Sequence, residues 1–260
     1  METHSARLAL LSWGEDGEPL LFLHGIAGHA GEWSSAAAAL RGPRFHCLAI
    51  DQRGHGLSER RPDDVSAEAF VSDVKAVLDA VVGTRPVHLL GQSFGGLIAL
   101  LFAAKYPELV TSLIVVEASP SGPNLRAVAD VRAWLESWPR PFTSRHQAAL
   151  FFGGGQRADS WIGGLEVRDG QYWPRFDDDV ILEALGQLSA RSWWDEWQAV
   201  TARSLLIRGQ HGNLDAADLD RMARSGPRPE VEVIPKAGHD VHLDQRDDFT
   251  SVVHSFLMRR

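Results

Sequence analysis

Residues 88–100 read HLLGQSFGGLIAL. The apolar run PVHLLG (86–91) is a buried strand by length and composition, and FGGLIALLFAAKYP (94–107) reads as a helix stopped at Pro107. Between them lies Gly91-Gln92-Ser93-Phe94-Gly95, a G-x-S-x-G pattern. Strand, sharp turn and helix together give the pattern its meaning. A tight turn forces Ser93 into a strained backbone conformation and lifts its hydroxyl above the sheet. Glycines at 91 and 95 let strand and helix approach closely. The helix N-terminus then offers backbone N–H groups and the positive end of its dipole to an oxyanion.

Working outward, short apolar runs alternate with helical patterns. PLLFLHG (19–25), FHCLAID (45–51), VTSLIVVE (110–117), RSLLIRG (203–209) and EVEVIP (230–235) read as further strands. Between the second and third core strands, Phe70, Val74, Val77, Leu78 and Val81 recur at helical spacing, with Ser66 as N-cap and Gly83 as stop. The chain closes on another periodic segment, DFTSVVHSFLM (248–258). Buried strands separated by helices predict an α/β fold with a mostly parallel sheet and right-handed crossovers. Residues 120–200 break this rhythm. They hold no clear core strand but seven of the nine tryptophans: Trp134, Trp138, Trp161, Trp173, Trp193, Trp194 and Trp197. This segment reads as a helical cap inserted into a core built from residues 1–119 and 201–260. Most of its tryptophans are expected in its own core, and Trp138 and Trp161 are the ones expected at a pocket.

Four segments in order resemble an α/β-hydrolase of the serine-nucleophile, capped branch: LLFLHGIAG, DQRGHGLS, GQSFGG and PKAGHDVHLD. The resemblance covers nearly the whole chain and implies an α/β-hydrolase sheet flanked by helices with a helical cap. It implies Ser93 as nucleophile and His239 as its base, with the neighbouring His242 as the rival. The backbone N–H groups of Phe94 and Ile26 would form the oxyanion hole. His24 would support the loop holding Ile26, and Asp51, Arg53 and His55 would fix the loop beside it. A serine at the elbow sets the chain apart from the dehalogenase and epoxide-hydrolase branches, whose nucleophile is a carboxylate.

The third member of the triad is missing from its usual place. In most relatives an Asp follows the strand matched by SLLIRG, but the loop here is QHGNLD, with Gly212 or Asn213 at that position. Neither balances an imidazolium, and Asp-to-Asn in a protease triad lowers turnover by about 10⁴. Two carboxylates remain. Glu117 closes the strand next to the elbow strand, a position some α/β-hydrolases use, and an ionisable residue ending an apolar strand calls for a partner. Asp215 lies only two or three residues further on from Asn213 or Gly212. Glu117 is the expected acid and Asp215 the alternative.

The remaining features exclude more than they assign. With a net charge of −8, the chain is ill suited to nucleic acid or anionic membranes. Its apolar runs fall short of the ~20 residues that span a bilayer, and METHSARLALLSWGEDGEP (1–19) has no signal-peptide pattern. The single cysteine, Cys47, permits no intrachain disulfide, in keeping with a cytoplasmic setting; it reads as a small buried strand residue. FFGGGQR (151–157) lacks the Lys-Ser/Thr of a nucleotide loop. No cofactor or metal is expected. The leading reading is hydrolysis of a small or medium apolar carboxylic ester or lactone through an acyl-enzyme. The alternatives are a ligand-binding member of the fold with vestigial catalysis, and carbon–carbon bond hydrolysis or a lyase reaction by the same triad. The oligomeric state stays open.

Overall fold

The computed structural model describes residues 1, 6–42, 44–122 and 124–259. The N-terminal stretch read as lacking a signal peptide lies partly outside them. The strands are β1 (Ala9–Trp13), β2 (Glu18–Leu23), β3 (Phe45–Asp51), β4 (Val87–Gln92), β5 (Val110–Val116), the short pair β6 (Glu166–Arg168) and β7 (Gln171–Trp173), β8 (Arg203–Gly209) and β9 (Glu230–Ile234). The helices are α1 (Ser34–Leu40), α2 (Ala67–Val81), α3 (Phe94–Lys105), α4 (Leu125–Glu136), α5 (Arg145–Phe151), α6 (Gly155–Gly163), α7 (Asp178–Leu188), α8 (Trp194–Ala199), α9 (Ala216–Arg224), α10 (Val241–Asp244) and α11 (Arg246–Met258).

Seven strands form one sheet in the order β1-β3-β2-β4-β5-β8-β9. All neighbours are parallel except β1 against β3. The period-two geometry of a strand explains why the inner runs are continuously apolar. Along β2, Leu21 and Leu23 enter the core on the face covered by α2 and α3, with Phe70, Val74, Ile98 and Phe102. Leu20 and Phe22 point the other way, towards Ala37, Leu40, Phe249 and Phe256 of α1 and α11. Cys47 belongs to that second layer, where burial pushes its thiol pKa up to about 12; it is no nucleophile at neutral pH. β9 departs from expectation: it is exposed at every residue but Ile234, because it is an edge strand, and Glu230 and Glu232 blunt that edge.

The chain leaves β2 for β3 on one side and returns to β4 on the other. The loops after β2 and β4 therefore diverge at the carboxyl end of the sheet, where open α/β sheets bind ligands. The segment between β5 and β8 covers residues near that end. It is not purely helical: β6 and β7 form an antiparallel hairpin, bridged by Tyr172 to Phe142. It has a core of its own, containing Leu135, Trp138, Phe142, Phe152, Trp161, Phe176 and Leu182. Trp193, Trp194 and Trp197 do not belong to that core. They pack with the main domain, and the fully buried Trp197 donates its indole N–H to Met222 O at 3.2 Å.

Candidate active site

The elbow shows why its glycines are needed. Ser93 has φ 51° and ψ −117° and does not cap the helix that follows it. A Cβ on Gly91 would stand 2.1 Å from Gly95 O, and one on Gly95 would stand 2.4 Å from His24 O. The strained serine is held by Ser93 N–H donating to Val116 O at 2.8 Å. Phe94 opens α3, and its N–H and that of Ile26 donate to no acceptor among the described residues. Two unpaired donors beside a hydroxyl are what a developing oxyanion requires.

The loop after β2 is braced from below. The His24 Nδ1–H group donates to Gly25 O at 2.8 Å, and Nε2 accepts from Gln52 N–H at 3.0 Å. Burial lowers the His24 pKa, so the ring stays neutral and keeps both bonds. The Asp51 carboxylate accepts from Ala30 N–H at 2.6 Å and Leu57 N–H at 2.8 Å, joining the loops after β2 and β3. Arg53 is wholly buried on Asp73, with both N–O distances 2.7 Å. His55 Nδ1 donates to Arg53 O at 3.0 Å. These residues hold loops, as expected.

Glu117 lies one residue beyond β5 at φ 52°, a left-handed conformation unusual for a side chain of this size. Its side chain is fully buried. Oε2 lies 3.1 Å from His239 Nδ1, and accepts from Asn213 N–H at 2.6 Å and Leu214 N–H at 3.1 Å. Oε1 accepts from Gly209 N–H at 2.8 Å. The loop that lacks an Asp thus supplies the amides that hold the glutamate. Gly212 supplies the space, since a Cβ there would stand 2.1 Å from Glu117 Oε1. Asp215 is elsewhere: it N-caps α9, accepting from Ala217 N–H at 2.7 Å.

With Nδ1 donating to Glu117, His239 keeps Nε2 as its free acceptor. Burial alone would lower the His239 pKa. The hydrogen bond to Glu117 and the charges of Asp240 and Glu117 outweigh burial, against a smaller opposing effect of Arg157, and the net shift is upward. Gln92, inside the elbow, donates its Nε2–H to His239 O at 3.1 Å and so ties the two loops together. The rival, His242, is buried behind the site, stacked on Trp33 at 4.2 Å between ring centroids.

Two chambers meet at Ser93 and His239, a smaller one of about 280 Å³ and a larger one of about 640 Å³. Ile26, Asp130, Val131 and Asn213 line both, and Phe94 lines the larger. Trp161 lines the smaller chamber, with its indole N–H 3.3 Å from Asp240 Oδ2. Trp138 does not reach it. It is held edge-on among Trp134, Phe152 and Phe176, with centroids 5.0–5.4 Å away. Its place on the wall is taken by Trp134, half-buried at the start of the α4 C-terminal turn. Trp138 lies two residues beyond the end of α4, and packing decides which of the two indoles meets the cavity. Among the described residues no group of side chains is arranged to hold a metal ion, and no helix is long and apolar enough to cross a membrane.

The family described as alpha/beta hydrolase fold matches residues 18–245. The sn-1-specific diacylglycerol lipase ABHD11 of Mus musculus is 28% identical, over 92% of this chain and 80% of the relative. Esterase Rv0045c of Mycobacterium tuberculosis (strain ATCC 25618 / H37Rv) is 28% identical, over 97% of this chain and 87% of the relative. Among solved structures, E-2-(acetamidomethylene)succinate hydrolase superposes with a TM-score of 0.86 at 24% identity, covering 97% of this chain and 95% of the other; at that identity the likeness is one of fold.

Proposed function

Given that the chain belongs to the α/β-hydrolase fold family, we propose that it is a serine hydrolase that cleaves a small or medium apolar carboxylic ester or lactone through an acyl-enzyme. The observation that carries this reading is the buried Glu117 carboxylate 3.1 Å from His239 Nδ1, in a site whose cavity also exposes the strained Ser93. Ser93 Oγ bonds to the substrate carbonyl carbon while His239 Nε2 takes its proton. The carbonyl oxygen, now negative, is received by the Phe94 and Ile26 N–H groups. Collapse breaks the ester C–O bond, and His239 returns the proton to the leaving alkoxide. Water then repeats the attack, with His239 as base, to release the acid and restore Ser93. Glu117 balances the imidazolium. Trp134 and Trp161 favour an apolar acyl or leaving group. The lipase and esterase names of the relatives agree with ester chemistry.

The ligand-binding alternative drew its support from a missing acid, and a carboxylate beside His239 removes that support. A fluorophosphonate probe and a panel of nitrophenyl esters test the proposal. The adduct is expected on the peptide containing Ser93, with ester turnover, and both are expected to vanish in Ser93→Ala. Labelling without turnover of any ester or lactone, or an adduct elsewhere, would count against it.

A further inference from the structure

Glu32 is a second buried carboxylate at the cavity, outside the proposed triad. Its side chain is 4% exposed, yet it lines the smaller chamber beside Gly28 and Trp161. It makes no side-chain hydrogen bond among the described residues. His242 Nε2 lies 3.3 Å from Glu32 Oε1 but out of hydrogen-bond alignment, and His242 Nδ1 is also without a hydrogen-bond partner. Buried carboxylates are normally fully bonded, because each unmet acceptor keeps its desolvation cost. Here the carboxylate faces the smaller chamber. Gly28 leaves it uncovered, since a Cβ at that position would stand 2.9 Å from Glu32 Oε2. Trp33, stacked on His242 and on Phe22, fixes the imidazole from behind.

We propose that Glu32, backed by His242, is a specificity-determining acceptor for a hydrogen-bond donor on the substrate, a hydroxyl or amide N–H carried on the otherwise apolar acyl portion in the smaller chamber. The inference rests on the serine-hydrolase reading of the same cavity. A methyl group in the donor's place leaves the carboxylate unpaired, so the site discriminates against it.

The test uses nitrophenyl esters of matched acyl chains, ending in hydroxyl or in methyl, over a range of lengths. In the wild-type protein one length is expected at which the hydroxyl ester exceeds its methyl counterpart in kcat/KM by about tenfold or more, the scale of a hydrogen bond to a charged group. Glu32→Leu is expected to invert that ratio and Glu32→Gln to reduce it, with Ser93 phosphonylation reporting that each variant is folded. A wild-type ratio that never favours hydroxyl overturns the inference, whether or not the variants fold, as does a preference that survives both substitutions. If neither series is turned over while Ser93 is also unlabelled, the serine-hydrolase reading fails first, and a distinct result marks each failure.

Discussion

In the proposed triad, Gly212 makes room for the acid. A side chain there would occupy the space of the Glu117 carboxylate, so the glycine and the glutamate are two halves of one arrangement. Gly212→Ala is expected to push Glu117 off His239 and lower kcat by about 10²-fold, the cost of misplacing a catalytic group by roughly an ångström; steady-state kinetics of a folded variant check it. Glu117→Gln is expected to lower kcat by at least ~10²-fold, whereas Asp215→Asn, still an N-cap, falls far short of that loss. The pH profile separates a charge effect from a packing one. His239 is raised above its ordinary 6.5, and a general base acts when neutral, so kcat/KM rises with pH through that raised value. In Glu117→Gln the carboxylate charge is gone and its bond to Nδ1 is weakened, while burial and the charge of Asp240 remain, so the acid limb moves to lower pH. An unmoved limb would deny Glu117 its electrostatic role. The stability linkage has the opposite sign: the contribution of the protonated pair is full below about 6.5 and fades as pH rises through the folded pKa.

At the scale of elements, the α4–α6 segment and the loop after β9 are joined across the smaller chamber. From α6, Arg157 reaches Asp240 Oδ2 at 3.0 Å and Asp244 Oδ1 at 3.5 Å, and Trp161 reaches the same Asp240. The indoles divide their work. Trp134→Phe or Trp161→Phe is expected to change KM or substrate preference and to reduce the fluorescence quenching caused by product. Trp138→Ala, deep among Phe142, Phe152 and Phe176, is expected to cost about 3–5 kcal/mol of stability. Denaturant melts beside ester kinetics check the division; a KM effect confined to Trp138 would refute it.

Over the whole molecule, the buried ion pair Arg53–Asp73 ties the loop after β3 to α2, with side chains 0% and 3% exposed. Its net worth against an apolar pair is small, but breaking it removes the counter-charge of a buried guanidinium. Asp73→Asn is expected to destabilise the fold by about 3–5 kcal/mol, read from its denaturation midpoint. A loss below about 1 kcal/mol would mean that the remaining contacts of Arg53 compensate for it.

Local chemistry made most of the fold legible. The apolar runs that became β2–β5 and β8 are buried on both faces, so composition alone marks them, and the elbow glycines mark where β4 must meet α3. β1 was not legible: ALLSW has no clear alternation, and antiparallel pairing with β3 makes it a strand. The β6–β7 pair is too short to announce itself, and the three tryptophans that left the insert for the main core carry the same local signal as those that stayed. In the site, Ser93 and His239 stood out by motif, and Glu117 as an ionisable residue closing an apolar strand. Its left-handed backbone, its three amide donors and the space left by Gly212 are contacts between β5, β8 and the loops beyond them. Glu32 gave no signal at all in the sequence, because a carboxylate's exposure to a cavity depends on what packs around it. Sequence sets residue types and periods. Which side of a helix meets a cavity, and which carboxylate meets a histidine 122 residues away, follows from packing between segments that local sequence does not encode one by one.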